Sequence, residues 1–480
     1  MQSKSRDCSH HRRYDNTMKK ILNRSILTWV LAIVFFIGLG YFTVRLIIHS
    51  NEWAQKPMNA HISVTGLAQA GDIYDRNGNL LAASEDGNRY YNDDPSVRAG
   101  MLHTVGDDST NIPTAVQSVY RTGLTGYNFI LGLGLPNSFR SSSDITLTLD
   151  ADACAATYNA MASNNYKGAA IVYNYETGEV ICSVSTPSYD PYSPVEIKDG
   201  DSTYDGLYID NVLSSTYPPG STFKLVTAAA AIENIEGSED RLLYCEGSKI
   251  IGGEYVTCVE PHGEINMKEA LAVSCNIYFA ELAVELGPDT MTEYADKFGF
   301  NHAYKVDDND VKKSRYDVSE ADTAGLAWSG VGQYTDMANP LHMAMICSAI
   351  ANGGTPVEPY MIDNVSSFFN FKNITAGSKG KSGTRMIKSS TANKLSEMMR
   401  FTVSDHYGDY MFGDLHVAAK TGTAEVPDGA EDGWVVGYVT DEDCPLAFAV
   451  CIEHGGFGYS SAGPVAKVAL ENSAIAVRGY

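Results

Sequence analysis

A run of 19 residues without a charged side chain, ILTWVLAIVFFIGLGYFTV at positions 26–44, most limits what this chain can fold into. As an α-helix the run would extend about 28 Å, which is close to the thickness of the hydrocarbon core of a bilayer. It is longer than the apolar region of a typical signal peptide, and no small-x-small cleavage site follows it. We therefore predict an uncleaved transmembrane anchor rather than a cleaved leader.

The charges that precede the run predict its orientation. Residues 4–24 contain seven Lys and Arg side chains, which are opposed only by Asp7 and Asp15. Because basic flanks remain in the cytoplasm, we expect the N-terminus to be cytoplasmic and everything after Arg45 to be extracytoplasmic. The predicted segments are a cytoplasmic tail at 1–24, the membrane anchor at 25–44, an N-terminal module at 45–145 and a main domain at 146–480.

Strand and helix patterns in the main domain predict an α+β fold. SDITLTLDADACAATYNAMA, at 143–162, has the pattern of a short strand followed by a helix from about Ala151. A hairpin follows at 168–186, with its turn at Thr177-Gly178, and three further strand-like runs lie between 416 and 453. A final helix is predicted from about Ala462. Strands near both ends, with helices between them, predict a central sheet assembled from both ends of one domain and flanked by helices.

Charge and cysteine spacing argue against two classes of function. The formal net charge of −23 disfavours contact with phosphate backbones, so we expect no nucleic-acid partner. The nine cysteines form no CxxC motif and no evident cluster with histidines, so we predict neither a metal site nor a cofactor. Cys245 and Cys258 bracket a hairpin-like segment, CEGSKIIGGEYVTC, and either form a disulfide or remain buried thiols.

The segment YPPGSTFK, residues 217–224, contains a Ser-x-x-Lys motif in a defined local context. Pro218 and Pro219 cannot continue a helix, so Ser221 should begin one, with Lys224 on the same face of its first turn. A serine hydroxyl becomes a nucleophile when a neighbouring base takes its proton, and a desolvated lysine amine can be that base. The N-terminus of the helix would also present backbone N–H groups to an oxyanion.

A second match, Ser378-Lys379-Gly380-Lys381, lies in a polar tract of Gly, Ser and Lys. The overlapping Lys381-Ser382-Gly383-Thr384 imitates a Lys-Ser/Thr-Gly motif. Neither match is flanked by a strand or begins a helix, so we interpret the tract as a solvated loop.

Two further motifs complement Ser221 and Lys224. Ser274-Cys275-Asn276 lies within MKEALAVSCNIYFAELAVELG, where a break between two helices would direct a hydroxyl and an amide into a cleft. Lys420-Thr421-Gly422-Thr423 lies within the strand-like HVAAKTGTAEV. There Gly422 would leave room for a substrate backbone, Thr423 would offer a main-chain N–H, and Lys420 would offer positive charge to a carboxylate.

Together the three motifs resemble those of the penicillin-binding proteins, specifically the monofunctional class B transpeptidases of the β-lactamase-like superfamily. GDIYDRNGNLLA (71–82), TLTLD (146–150), TGEVICSVSTPSYDP (177–191), His262-Gly263 and DGWVVGY (432–438) extend the resemblance to about 65–480. It implies that 45–145 is a dimerisation or pedestal-like module and that 146–480 is the transpeptidase domain. The chain departs from the family pattern at Ala70-Gly71, where Arg-Gly is usual, and at Gly332-Gln333-Tyr334, where Gly-Gln-Gly is common.

The resemblance implies the chemistry of the site. Ser221 would attack the penultimate D-alanine carbonyl of a peptidoglycan stem peptide and expel the terminal D-alanine, with Lys224 as the acylation base. Ser274 would relay protons, with Lys420 nearby. An acceptor amine of a second stem peptide would resolve the acyl-enzyme and cross-link the wall, and β-lactams would acylate the same serine.

The resemblance also implies how substrate is held. Asn276 would bind the substrate amide, Thr421 and Thr423 would bind its carboxylate, and the backbone N–H groups of Ser221 and Thr423 would form the oxyanion hole.

The motifs leave two alternatives open, a D,D-carboxypeptidase with water as acceptor and a non-turnover β-lactam sensor or scaffold. The region between the anchor and the main domain is too short for a glycosyltransferase domain. The resemblance therefore implies a separate glycan polymerase of the shape, elongation, division and sporulation family. Asp75 and Arg76 are either a local turn with an ion pair or part of a surface for such a partner.

Overall fold

The computed structural model of the protein describes residues 4–54, 67–125, 142–197, 202–367, 376–377, 379–426 and 429–479. The chain divides into two compact units, one of Met1–Val64 with Tyr127–Arg140 and one of Thr65–Gly126 with Ser141–Tyr480. The described part of the first unit is a single helix, α1 (Lys4–Ala54).

Helix α1 contains the predicted anchor. Its segment Met18–Leu46 has a mean hydropathy of 2.2 over 29 residues, and among the described helices it alone is long and apolar enough to cross a membrane. Except for the half-buried Ala32 and Leu46, the apolar side chains of this segment are exposed, Trp29 by 69%, as they would be in a helix that lipid surrounds. By length and composition the helix fits a membrane anchor.

The second unit contains the remaining elements, numbered here in chain order. Its described strands are β1 (Ile73–Tyr74), β2 (Leu80–Glu85), β3 (Asn88–Tyr91), β4 (Ser143–Leu147), β5 (Lys167–Asn174), β6 (Val180–Thr186), β7 (Leu243–Cys245), β8 (Ser248–Ile251), β9 (Glu254–Thr257), β10 (Gly263–Ile265), β11 (Tyr304–Val306), β12 (Asn309–Val311), β13 (Ile362–Ser367), β14 (Val417–Glu425), β15 (Glu431–Val439) and β16 (Leu446–Glu453). Its described α-helices are α2 (Pro95–Gly100), α3 (Leu102–Val105), α4 (Val116–Val119), α5 (Arg121–Leu124), α6 (Ala151–Ala162), α7 (Asn211–Ser214), α8 (Lys224–Asn234), α9 (Met267–Ala272), α10 (Asn276–Lys297), α11 (Thr323–Ser329), α12 (Pro340–Ala351), α13 (Ser389–Phe401) and α14 (Ala462–Arg478).

The central sheet has the order β14-β15-β16-β5-β6, and all its neighbouring strands are antiparallel. Every residue of β6 is buried, and β16 is buried from Leu446 to Ile452, so both faces of the sheet are covered. Helices α6 and α14 pack against each other and the sheet, and α12 packs against β15, β16 and β5. The prediction of an α+β domain whose sheet joins both ends of the chain is confirmed.

A second, smaller sheet has the order β13-β4-β1-β2-β3. Strand β1 pairs in parallel with β4, with Ile73 opposite Ile145, and β13 pairs antiparallel with β4. Strands from three distant parts of the sequence therefore share one sheet, and the boundary predicted between residues 145 and 146 falls within β4.

Asp75 and Arg76 lie in the turn after β1, and both make contacts within the protein. Asp75 is fully buried, and its carboxylate accepts hydrogen bonds from the backbone N–H groups of Asn77, Asn79 and Ala151. The Arg76 guanidinium lies 3.5 Å from the Glu179 carboxylate. These contacts match the interpretation as a local turn with an ion pair, and the burial of Asp75 makes it unavailable to a partner.

Candidate active site

The loop that carries Ser221 is held by close backbone contacts. Gly220 has a φ of +52°, and a Cβ there would lie 2.7 Å from the carbonyl oxygen of Thr423. The Gly220 N–H donates to the Gly332 carbonyl at 2.9 Å, and a Cβ on Gly332 would lie 1.9 Å from the Gly220 carbonyl oxygen. Both positions require glycine because neither leaves room for a side chain. Tyr334, where the related family often has glycine, keeps a left-handed φ of +77°.

Ser221 and Lys224 lie one turn apart, as predicted. The turn itself is a 3₁₀ turn over Gly220–Phe223, and the α-helix α8 begins at Lys224 rather than at Ser221. The Ser221 Oγ is half-buried and lies 2.9 Å from the Lys224 Nζ. Phe223, which is fully buried, anchors the turn by stacking on Tyr316 with ring centroids 5.2 Å apart.

The Lys224 Nζ lies among four oxygen atoms. Besides Ser221 Oγ, it lies 2.7 Å from the Ser274 carbonyl, 3.1 Å from Ser274 Oγ and 2.7 Å from Asn276 Oδ1. The carbonyl and the amide oxygen can only accept hydrogen bonds, so a neutral amine gives them its two N–H groups. Its lone pair then remains for the hydroxyl proton of Ser221. This arrangement suits a base that deprotonates the serine.

Ser274 lies at the predicted break between two helices, between α9 and α10. It has a φ of +56°, a left-handed conformation that is strained for a residue with a Cβ. Its Oγ lies 3.1 Å from the Lys224 Nζ and 3.0 Å from the Lys420 Nζ. The hydroxyl therefore connects the two lysines and can pass a proton between them.

Asn276 is the first residue of α10, and both ends of its side-chain amide are engaged. The Oδ1 accepts from Lys224, and the Nδ2 donates to the Thr257 carbonyl at 2.7 Å. One of its two amide N–H groups is thus used within the protein, which leaves the other for a substrate carbonyl.

The Lys-Thr-Gly motif lies on β14, as predicted. Lys420 is fully buried, and its Nζ donates to Ser274 Oγ and to the Thr421 carbonyl. Thr421 and Thr423 are half-buried. A Cβ on Gly422 would lie 3.0 Å from the Pro219 carbonyl and 3.1 Å from the Trp434 Cβ, so the space beside this glycine is taken by the protein itself.

Tyr407 is a member of the site that sequence reasoning missed. Its phenol oxygen lies 2.7 Å from Thr421 Oγ1 and accepts from the Thr421 backbone N–H at 3.1 Å. It ends a π-helix, Thr402–Tyr407, which continues α13. Such helices recur at functional sites, but the sequence offers no spacing that would have indicated this one. Its contacts make Tyr407 a positioning residue for Thr421.

Burial lowers the pKa of both lysines. Burial, and then the positive charge of Lys420, holds the pKa of Lys224 well below its ordinary value. Burial alone lowers the pKa of Lys420 to about 7. A lowered pKa makes the neutral amine of Lys224 easier to reach, as a base requires, and a pKa of about 7 lets Lys420 exchange a proton near neutral pH.

The prediction that cysteines and histidines do not cluster is wrong. Cys245, Cys258, His262 and Cys275 bring one sulfur or nitrogen atom each to within 4.8 Å of one another. Cys245 and Cys258 are not joined by a disulfide, because their sulfurs lie 3.8 Å apart.

The second Ser-x-x-Lys match lies elsewhere, as predicted. Lys379 is exposed and pairs with Glu179 at 3.1 Å, and the exposed Lys381 pairs with Glu358 at 2.5 Å. Ser378 lies outside the described residues.

Comparison with known proteins assigns the family. Residues 168–471, more than half of the chain, match the model of the penicillin binding protein transpeptidase domain. The chain is 28% identical over 350 residues to the peptidoglycan D,D-transpeptidase PbpA of Mycobacterium tuberculosis H37Rv, which covers 66% of this chain and 69% of that protein.

Two solved structures share the fold. Penicillin-binding protein A from M. tuberculosis, as its ceftriaxone acyl-enzyme complex, superposes with a TM-score of 0.73 at 24% identity, covering 85% of this chain and 99% of that one. The D,D-transpeptidase domain of a peptidoglycan glycosyltransferase from Eggerthella lenta gives a TM-score of 0.71 at 27% identity, with the same coverages of 85% and 99%. The family match, the shared fold and the assembled motifs lead to one conclusion: the chain belongs to the penicillin-binding protein transpeptidase family.

Proposed function

We propose that this protein is a peptidoglycan D,D-transpeptidase that cross-links the cell wall through an acyl-enzyme on Ser221. The observation that carries the proposal is the continuous hydrogen-bonded path Ser221–Lys224–Ser274–Lys420, with each link between 2.9 and 3.1 Å. A nucleophile, a base, a relay and a cation are the parts that acyl transfer requires.

In the acylation step, the Lys224 amine takes the proton of the Ser221 hydroxyl. The serine oxygen then bonds to the penultimate D-alanine carbonyl carbon, and the backbone N–H groups of Ser221 and Thr423 stabilise the resulting oxyanion. The carbon–nitrogen bond to the terminal D-alanine breaks, and the leaving nitrogen receives a proton from Lys224 through Ser274. The products are an ester on Ser221 and free D-alanine.

In the transfer step, an amine of a second stem peptide attacks the ester carbonyl. Its extra proton passes to Lys224, the ester bond breaks, and the Ser221 oxygen is reprotonated. A β-lactam follows the acylation step, but its leaving nitrogen remains tethered to the acyl group. The amine acceptor therefore cannot occupy its place, and the ester persists.

Acylation should fall as the pH rises above about 7, the value to which burial lowers the pKa of Lys420. A protonated Lys420 provides the positive charge for the substrate carboxylate, and its loss removes that charge. Lys420 interacts electrostatically with Lys224 and with His406, whose pKa is lowered by burial and by Lys420, and the phenol of Tyr407 lies on the backbone N–H of the adjacent Thr421. Second-order labelling rates with a fluorescent penicillin between pH 5 and 9 measure this alkaline limb, the fall in acylation rate as the pH rises.

In Lys420→Arg the cation no longer titrates, so the alkaline limb should disappear even if the overall rate is lower. A wild-type rate that keeps rising to pH 9 would contradict the role given to Lys420.

Product analysis tests transfer against hydrolysis. With a D-Ala-D-Ala donor peptide and an amine acceptor, the full chain should form the cross-linked product, and its share should rise with acceptor concentration. A D,D-carboxypeptidase would release only the shortened donor peptide, at every acceptor concentration. Penicillin labelling without either product would indicate a β-lactam sensor instead.

The membrane orientation and a polymerase partner belong to the same proposal. The seven basic residues before the anchor support a cytoplasmic N-terminus, which reporter fusions on either side of Met18–Leu46 would test. The family resemblance supports pairing with a separate glycan polymerase. Exchanging residues 18–46 for an unrelated transmembrane helix should weaken co-purification with that polymerase and leave penicillin labelling intact; unchanged co-purification would argue against contact through the anchor.

A further inference from the structure

Three cysteines and one histidine gather beside the catalytic groups, and no step of the proposed reaction uses them. Cys245 and Cys275 are buried, and Cys258 and His262 are half-buried. The Cys258 and Cys275 sulfurs lie 3.7 Å apart, those of Cys245 and Cys258 lie 3.8 Å apart, and Cys245 Sγ lies 3.4 Å from His262 Nδ1.

These separations match the edges of a tetrahedral metal site. A disulfide places its sulfurs about 2.05 Å apart, which is far shorter than either contact. Zinc binds thiolates at about 2.3 Å and imidazole at about 2.0–2.1 Å, so a tetrahedral Cys₃His site has sulfur–sulfur edges of about 3.8 Å and sulfur–nitrogen edges of about 3.5 Å. Three of the six edges therefore fit such a site, and the other three donor-atom separations are within 4.8 Å.

The backbone fixes all four positions. Cys245 in β7 pairs with Gly263 in β10, which places His262 beside it. The hairpin of β8 and β9 closes where the Cys258 N–H donates to the Gly247 carbonyl at 2.9 Å. Cys275 is the N-cap residue of α10. The β7–β10 pair, the β8–β9 hairpin and the start of α10 thus converge here. A structural ion at this point would link all three to one another.

We propose that Cys245, Cys258, Cys275 and His262 bind a structural zinc ion. Three thiolates and one Zn²⁺ carry a net charge of −1, and this charge would lie at the N-terminus of α10, whose first helical segment runs from Asn276 to a break at Gly287. Two sulfurs already accept backbone N–H groups, Cys258 from Asn276 at 3.2 Å and Cys275 from Tyr278 at 3.4 Å. Four protein ligands complete the coordination, so the ion has no open position for catalysis.

The ion would position the catalytic turn. Cys275 lies between Ser274 and Asn276, the two residues that surround the Lys224 amine. Ser274 has a left-handed φ of +56°, and surrounding structure must hold such a conformation in place. A ligand bond at Cys275 fixes the turn one residue away.

Metal analysis tests the site directly. The full chain, purified in detergent without a polyhistidine tag and dialysed against metal-free buffer, should contain about one zinc per chain. Cys245→Ala and His262→Gln should each lower the zinc content at least about tenfold. Cys347→Ala, at a buried cysteine outside the cluster, is the matched control and should retain the ion. Exchange for Co²⁺ should give the visible absorption of a tetrahedral cobalt thiolate.

Zinc content does not depend on transpeptidase activity, so this test stands apart from the proposed function. A metal-free chain, with either three free thiols or a disulfide among the three cysteines in non-reducing peptide maps, would overturn the site. Removing the ion with a chelator should slow penicillin labelling about tenfold or more and lower the Tm by about 5–10 °C. A zinc-loaded chain whose labelling rate is unchanged by removal would overturn the positioning role.

Discussion

Ser221→Ala should abolish labelling by fluorescent penicillin and formation of the cross-linked product. The substitution removes the oxygen that bonds to the carbonyl carbon, so no ester can form, and loss of a nucleophile typically costs about 10⁶-fold. Ser221 is half-buried, and its Oγ forms a hydrogen bond with the Lys224 amine at 2.9 Å. We therefore expect the free energy of unfolding to change by less than about 1 kcal/mol.

The second Ser-x-x-Lys match offers a sequence-matched control. Ser378→Ala changes the serine of Ser378-Lys379-Gly380-Lys381 and should leave both labelling and product formation unchanged. Labelling that survives in a folded Ser221→Ala protein, measured by gel fluorescence beside its Tm, would place the nucleophile elsewhere.

Lys224→Met should slow acylation about 10²–10⁴-fold, the usual contribution of a general base. Methionine fills much of the volume of the lysine but has no lone pair to accept the Ser221 proton. Lys224→Arg separates basicity from charge, because a guanidinium remains protonated and cannot act as a base. We expect both variants to lose acylation to a similar extent.

Lys312→Met, at an exposed lysine, controls for the general effect of the substitution. Stopped-flow acylation rates at saturating penicillin measure the effect. A Lys224→Arg rate within about tenfold of wild type would show that the positive charge, rather than the neutral amine, is what the reaction needs.

Local sequence patterns predicted much of the fold. The β5–β6 hairpin follows from two apolar runs around Thr177-Gly178, and α14 begins at Ala462 as expected. The small sheet could not be predicted, because its strands come from residues 73–91, 143–147 and 362–367. Pairing over such distances in sequence depends on tertiary packing rather than on local pattern.

Some residues of the candidate site were also predictable from the sequence, and others were not. The motif residues Ser221, Lys224, Ser274 and Lys420 were recognisable because each lies in a distinctive local context, and the fold brings them within hydrogen-bond distance of one another. Tyr407 reaches Thr421 from a π-helix without any sequence signature.

The cysteine cluster was missed for a related reason. Its members lie at positions 245, 258, 262 and 275, on separate elements, and their irregular spacing matches no short metal-binding motif.

The prediction that Gly422 leaves room for a substrate backbone was wrong. A glycine in a strand indicates that another group approaches closely, but it does not say which group. Here the approaching groups are Pro219 and Trp434 of the protein itself.

The central claim is that Ser221 forms the covalent ester, and peptide mapping by mass spectrometry tests it most directly. After exposure of the full-length wild-type chain to benzylpenicillin, the peptide that contains Ser221 should gain the mass of one intact drug molecule, and fragmentation should place that mass on Ser221. An adduct on any other residue, or no adduct on a folded chain, would contradict the account.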